Sequence, residues 1–187
     1  MKPLPSSFFR RPADVVAPDL LGATIVSTAR GRTVSGIIVE TEAYLGFDDP
    51  ASHAYHGRRH AQNEGLYSPP GCWYVYRSYG VHWCANLVVG GAEGSAVLLR
   101  AVEPEAGVAL MKRRRGSANE RDLANGPGKL CQALGITAVL DGVAMGRSEV
   151  RVLERPKRPA GQPMVTPRIG ITKAADWPLR FVLKRPS

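Results

Sequence analysis

The feature that most constrains the fold is a series of short runs rich in β-branched, apolar and aromatic residues, separated by turn-forming residues. Runs of this kind are typical of strands that are joined by tight turns. They predict strands over residues 23–28, 33–45, 72–79, 83–89, 95–102, 150–153, 168–172 and 179–183. Since several neighbouring runs are only a few residues apart, hairpins and an antiparallel sheet are favoured.

Helical segments are fewer and shorter. Pro12 suits a helix start, and residues 13–21 predict one or two short helices that Pro18 interrupts and Gly22 ends. Further helices are predicted over residues 104–115 and 129–134. Hairpins with interspersed helices indicate an α+β fold, in which a curved antiparallel sheet is flanked by short helices. The length of 187 residues predicts one compact domain over residues 1–187.

The strand over residues 33–45 ends in three polar side chains, Glu40, Glu42 and Tyr44. The two-residue period of a strand places all three on one face of the sheet. A carboxylate at such a strand end can polarise water for catalysis. Two interpretations remain open at this point, a catalytic carboxylate or exposed glutamates that pair with nearby arginines.

A second informative segment is the hairpin around Tyr79 and Gly80. Trp73 alternates with Tyr74 and Tyr76 along the strand before it, and the turn itself carries a large aromatic ring. A turn leaves such a ring partly exposed. Exposed rings beside basic residues suit stacking on bases or insertion into a duplex. Residues 46–70 form a polar loop that is too long for a simple connection and is expected to be functional or disordered.

The charge balance points to a polyanionic partner. Lysine and arginine number 25 against 16 aspartate and glutamate residues, which gives a net charge of +9. Three cysteines without a Cys-x-x-Cys pair argue against a disulfide framework and a zinc ribbon. No signal-peptide pattern and no membrane-spanning run is found in the sequence, so a soluble cytoplasmic chain, associated with the nucleoid through DNA, is expected.

Other chemistries find little support. His53, His56 and His60 suggest a metal site, but their spacing lacks the cysteine or carboxylate ligands that zinc sites usually recruit. Nucleophile-elbow, zinc-deaminase, dinucleotide-binding and P-loop motifs are absent. We therefore expect neither a metal nor a cofactor.

Six segments occur together in a specific order: Phe8-Phe-Arg-Arg-Pro, Val39-Glu-Thr-Glu-Ala-Tyr-Leu-Gly46, Tyr74-Val-Tyr76 with Tyr79-Gly80, Val97-Leu-Leu-Arg-Ala-Val-Glu-Pro104, Gly126-Pro-x-Lys-Leu-Cys-Gln-Ala-Leu134, and Arg168-Ile-Gly-Ile with Asp176-Trp-Pro-Leu-Arg-Phe181. In these segments the chain resembles the alkyladenine (3-methyladenine) DNA glycosylase family. The resemblance extends from Phe8 nearly to Leu183. It implies a single domain around a curved antiparallel sheet, in agreement with the strand pattern.

The resemblance also implies an activity. It implies a monofunctional glycosylase that flips 3-methyladenine, 7-methylguanine, hypoxanthine or ethenoadenine out of duplex DNA and hydrolyses the N-glycosidic bond. Glu42 matches the general base that activates water, Arg100 matches the arginine that holds this water, and the backbone carbonyl near Ile169 completes the catalytic site. The implied partner is double-stranded DNA with a damaged purine, bound by a monomer.

The implied binding residues surround the flipped base. Tyr44, His53 and Tyr76 match the walls that sandwich and contact it. Asn86 matches the residue that crowds the amino group of guanine and so protects normal purines. Tyr79 matches the side chain that fills the gap left in the duplex.

Three alternatives remain open. The first is a nucleic-acid-binding module without chemistry, which has no use for Glu42. The second is a metal-dependent hydrolase that uses His53, His56 and His60. The third is a hydrolase of free nucleosides, which the basic composition disfavours because nucleosides carry no phosphate.

Overall fold

The computed structural model describes residues 1–116, 119–155 and 163–183. These residues contain three α-helices, α1 (Ala13–Asp19), α2 (Val108–Arg115) and α3 (Pro127–Leu134). They also contain eight strands: β1 (Thr24–Ser27), β2 (Val34–Tyr44), β3 (Trp73–Ser78), β4 (His82–Val88), β5 (Ala96–Ala106), β6 (Val150–Leu153), β7 (Met164–Thr166) and β8 (Arg180–Val182). The predicted α+β class is confirmed.

One antiparallel sheet organises the molecule. Its strand order is β3-β4-β5-β2-β1-β6, and β8 pairs with the second half of β2 and with β7. β1 and β8 therefore share one edge of β2, while β5 runs along the other. This arrangement makes β2 the strand with the most neighbours, and it carries the three polar side chains picked out in the sequence.

The main core lies on one face of the sheet. α1 packs against β2, and α3 packs against β4 and β5. The fully buried side chains include Trp73, Leu87 and Leu99. A hydrogen bond of 2.8 Å from the Thr41 hydroxyl to the Ala17 carbonyl joins β2 to α1 on this face. The opposite face is consequently free to carry polar and aromatic groups.

The start of one predicted helix and the whole of one predicted strand are wrong. The helix predicted from residue 104 begins only at Val108, because β5 continues to Ala106 and ends at Gly107, whose φ of 72° breaks the strand. Pro104 instead pairs with Gly36, where a Cβ would lie 2.7 Å from the Glu103 carbonyl oxygen. A glycine is thus needed for this close approach.

The strand predicted over residues 168–172 is also wrong. This segment is a series of bends, and the strand of this region is β7, which the sequence analysis missed. The apolar pattern of residues 168–172 predicts a strand, but the backbone turns at Gly170, which adopts a φ of 77°. Arg168 is buried next to this turn. A turning backbone at this point directs the segment across the end of β2.

The loop over residues 46–70 is structured. It contains three short 3-10 turns, Gly46–Asp48, Tyr55–Gly57 and Glu64–Tyr67, and covers a small second core formed with β3, β4 and β5. Elsewhere, all three cysteines are buried free thiols. Among the described residues, every helix is too short or too polar to span a lipid bilayer.

Candidate active site

The register of the sheet brings four strands together at the candidate site. Tyr74 on β3 lies opposite Asn86 on β4, which lies opposite Leu98 on β5, which in turn lies opposite Glu42 on β2. Side chains that oppose each other in a ladder point to the same face of a sheet. This row therefore projects from the face opposite the main core, where Tyr74, Asn86 and Leu98 line a cleft of about 1240 Å³ and Glu42 lies beneath them.

Glu42 is fully buried beneath this cleft, with an exposed fraction of 0%. The Tyr44 hydroxyl donates to its Oε2 atom at 3.0 Å. The Ile169 backbone N–H donates to Oε1 at 2.8 Å, and Nη1 of Arg100 lies 3.3 Å from the same oxygen. All three partners are donors, so the group serves as an acceptor, the role of an ionised carboxylate. Glu40 also reaches Arg100, which confirms that Glu40, Glu42 and Tyr44 share one face.

Aromatic rings form one wall of the cleft. The ring of Tyr76 stacks on Tyr74 at a centroid distance of 5.3 Å, and the ring of His53 meets Tyr76 edge-on at 4.5 Å. The His53 Nδ1 atom lies 2.7 Å from the Tyr74 hydroxyl. Burial and the nearby His60 lower the pKa of His53, while burial raises the pKa of Tyr76. Both rings are consequently uncharged at neutral pH.

Tyr44 faces this wall from β2 and also lines the cleft. Burial and the neighbouring Glu42 raise the pKa of Tyr44, so its hydroxyl keeps the proton that it donates to Glu42. The Arg168 guanidinium lies 4.7 Å from the centroid of the Tyr44 ring. This contact holds the ring by a cation–π attraction.

Asn86 and Tyr79 differ in exposure. Asn86 is buried, and its Nδ2 atom donates to the Tyr74 carbonyl at 3.1 Å, which fixes the orientation of the amide. Tyr79 is 91% exposed at the hairpin turn, with a φ of 50°. The expectation that this turn leaves an aromatic ring exposed is confirmed.

A buried ion pair that the sequence analysis missed supports the site from behind. Nη2 of Arg168 donates to Oδ1 of Asp49 at 2.9 Å, and Nη1 donates to the Ala43 carbonyl at 3.0 Å. Both charged side chains have an exposed fraction of 0%. Through this pair the segment that carries Ile169 is fastened to the loop after β2. An arginine in an apolar run was the only sequence signal for it.

The long loop is held by Asn63, which is fully buried and was also missed. Its Nδ2 atom donates to the His53 carbonyl at 3.1 Å and to the Arg58 carbonyl at 2.9 Å. Its Oδ1 atom accepts from the His60 backbone N–H at 2.8 Å. Asn63 thereby fixes the position of His53 on the cleft wall.

The cleft collects the residues predicted from the sequence. Glu42 lies beneath it, and the residues that line it include Tyr44, His53, Tyr76, Tyr79, Asn86, Arg100 and Ile169. Ile169 reaches Glu42 through its N–H, whereas a role for a nearby carbonyl remains a prediction. Within the ranges that the structure describes, no three His, Cys, Asp or Glu side chains form a group suited to a metal ion.

Comparisons with known proteins agree with this geometry. A family model described as methylpurine-DNA glycosylase matches residues 7–187. A protein of Rhodopseudomonas palustris strain HaA2 is 49% identical over 186 residues, which covers 97% of this chain and 87% of the relative. A protein of Agrobacterium fabrum is 49% identical over 181 residues, with coverages of 97% and 89%. One of Methanoculleus marisnigri is 48% identical over 186 residues, with coverages of 97% and 95%. Each of the three is named as a 3-methyladenine DNA glycosylase.

Proposed function

Since this chain belongs to the methylpurine-DNA glycosylase family, whose members hydrolyse N-glycosyl bonds in DNA, we propose that it excises alkylated and deaminated purines with a water activated by Glu42. The proposed substrates are 3-methyladenine, 7-methylguanine, hypoxanthine and ethenoadenine in duplex DNA. The product is an abasic site. A net charge of +9 supports binding to the DNA phosphates.

The observation that carries this proposal is the hydrogen bonding of Glu42. Its two oxygens offer about four lone pairs. The Tyr44 hydroxyl uses one lone pair of Oε2, whereas the Ile169 N–H and Arg100 both approach Oε1. Oε2 therefore retains capacity to accept a hydrogen bond from a water molecule, and the Tyr44 contact fixes the direction of that oxygen.

The proposed reaction is a displacement at the anomeric carbon. The water oxygen bonds to C1′ of the sugar, the bond from C1′ to the purine nitrogen breaks with its electron pair on the base, and Glu42 accepts the water proton. The negative charge of Glu42 also stabilises the oxocarbenium-like transition state. A purine alkylated at N3 or N7 is cationic and departs as a neutral base. A neutral lesion such as hypoxanthine requires a proton on the leaving base.

The aromatic walls support recognition of an electron-poor base. Tyr44, His53 and Tyr76 present uncharged rings to the cleft, and a cationic purine gains about 0.5–2 kcal/mol from such contact. Asn86 is held rigidly by the Tyr74 carbonyl, and we assign to it the exclusion of the guanine amino group. Extrusion from the duplex costs a few kcal/mol, and this cost is smallest for damaged or mispaired bases.

Wild-type protein is expected to cleave the glycosidic bond in a short synthetic DNA duplex that carries one hypoxanthine or ethenoadenine. The reaction should proceed in the presence of EDTA. Alkali and heat then convert the abasic site into a strand break. A requirement for added metal would favour a metal-dependent hydrolase. Activity only on free nucleosides would favour a nucleoside hydrolase. Intact strands with every lesion, alkylated DNA included, would overturn the proposal.

Tyr79→Ala is expected to slow excision from fully paired duplexes by about 10-fold. Extrusion costs a few kcal/mol, and without the ring that fills the gap part of this cost is no longer offset. The ring is 91% exposed, so its removal leaves the fold intact. The measurement compares single-turnover rates for hypoxanthine in a matched pair and hypoxanthine opposite an abasic site, where no partner base has to be displaced. Phe47→Ala removes an exposed ring that does not line the cleft and is the matched control. Equal slowing on both duplexes would contradict a wedge role.

A further inference from the structure

Arg100 is held by a second carboxylate besides Glu42. Its Nε atom donates to Oε1 of Glu40 at 2.8 Å, and the same oxygen accepts from Nε of Arg180 at 2.6 Å. Arg180 is fixed in turn by the hydroxyl of Thr166, at 2.9 Å from its Nη1 atom. The side chains of Glu40, Arg100 and Arg180 are 15%, 12% and 18% exposed. The result is a largely buried line of alternating charges that ends at Glu42.

An irregularity of the sheet lies where Arg100 meets the two glutamates. As β2 passes from Glu40 to Thr41, its partner residue on β5 passes from Ala101 to Leu99, so Arg100 has no residue opposite it. A bulge of this kind redirects a side chain relative to the regular ladder. Since Leu98 lies opposite Glu42 and Leu99 lies opposite Thr41, the alternation along β5 places Arg100 on the same face as Leu98 and Glu42. The bulge leaves Arg100 without a residue opposite it on this face, where its guanidinium contacts both Glu40 and Glu42.

The contacts of Arg100 show what Glu40 contributes. A guanidinium is a rigid planar fork that favours two parallel bonds to a single carboxylate. Here Arg100 places Nε on Glu40, and its nearest approach to Glu42 is the longer Nη1 distance of 3.3 Å. Without Glu40, the fork is free to close on Glu42 with two bonds. That closure would occupy the oxygen that the activated water requires.

The charge state of Glu40 suits this task. Burial raises its pKa, but the hydrogen bonds and charges of Arg180 and Arg100 outweigh burial and lower the pKa below the usual range. Glu40 therefore remains ionised throughout the neutral range. Together with Glu42 it balances the charges of the two arginines.

We infer that Glu40, braced by Arg180, is a positioning residue that keeps Arg100 from closing on Glu42 and so leaves the base free to activate water. This inference rests on the proposed function of Glu42. It assigns no contact with DNA to Glu40.

Glu40→Ala is expected to lower the single-turnover excision rate by about 10-fold to 100-fold, in line with the effect of misplacing a reacting group by about 1 Å. The Kd for the lesion duplex should stay within about 3-fold of the wild-type value, since the binding walls are untouched. Glu40→Gln keeps an oxygen that can accept from both arginines and should recover most of the lost rate. Glu103→Ala, which removes an exposed carboxylate from β5, is the charge control.

The outcomes separate the possible failures. A merely structural role for Glu40 would lower the amplitude of excision at an unchanged rate constant, because only the folded fraction reacts. A wild-type rate constant for Glu40→Ala, with Glu42→Gln inactive, would overturn this inference and leave the proposed function standing. If wild-type protein excises no lesion, the proposed function itself fails. Loss of rate in Glu40→Ala and Glu40→Gln alike, with weakened binding, would also contradict positioning.

Discussion

Glu42→Gln is expected to excise damaged purines about 10²–10⁴-fold more slowly than the wild type, the range that general-base catalysis contributes. Glutamine keeps the size and shape of the side chain but cannot accept the water proton. Its oxygen can still accept from the Ile169 N–H and Arg100, and its amide group can donate to the Tyr44 hydroxyl. The site should therefore fold normally and lose only its base.

Single-turnover excision with excess protein measures this effect, and fluorescence anisotropy on the same duplex measures binding. We expect binding of the lesion duplex to be kept or tightened, because an uncharged side chain no longer repels the nearby phosphates. Glu103→Gln makes the same chemical change at an exposed position of β5 and should leave both quantities unchanged. Excision at the wild-type rate by Glu42→Gln would show that another group is the base. Binding of the lesion duplex without excision, by the wild type and Glu42→Gln alike, would favour a binding module.

Arg168→Met is expected to lower the free energy of unfolding by about 3–5 kcal/mol, the effect of leaving one partner of a buried ion pair uncompensated. Methionine fills similar space, so the change reports mainly on the charge of Asp49, which is fully buried. For a chain of this length the melting temperature should fall by roughly 10 °C. Excision should fall as well, since the Ile169 N–H then loses its anchor beside Glu42.

The control for Arg168→Met is an exposed ion pair of the same types. Arg59 and Glu64 form a salt bridge with side-chain exposures of 52% and 58%, and Arg59→Met should barely change the melting temperature. A second variant combines Asp49→Asn with Arg168→Met and removes both buried charges. It should be more stable than Arg168→Met alone, because no isolated charge remains. Equal melting temperatures for Arg168→Met and wild type would refute a supporting role for the pair.

The strands and the candidate base could be predicted from the sequence because local patterns define them. β1, β2, β3, β6 and β8 lie within segments predicted as strands, and β4 begins one residue before its predicted segment. Alternation along β2 placed Glu42 and Tyr44 on one face, and they are joined by a 3.0 Å hydrogen bond. The turn at Tyr79 followed from a glycine beside a bulky residue between two β-forming runs. The roles assigned to these side chains stay predictions.

The buried charged groups that support the site could not be predicted, because they depend on contacts between distant parts of the chain. Arg168 is 119 residues from Asp49, and Arg180 is 140 residues from Glu40. Asn63 differs, because its partners are only 3 to 10 residues away, but its sequence context does not distinguish it from an exposed loop asparagine. No local period signals which buried charge will find a partner, since that depends on which segments the sheet brings side by side.

The sequence by itself determined the strand-forming runs, the face shared by Glu40, Glu42 and Tyr44, and the exposed ring at the hairpin turn. Each follows from spacing or chemistry within about ten residues. Only the tertiary structure decided which strands are neighbours, where the bulge leaves Arg100 unpaired beside the two carboxylates, and how residues 166–173 cross the end of β2. Strand register and bulges arise from long-range pairing and side-chain packing, whose free energy is summed over residues far apart in the chain.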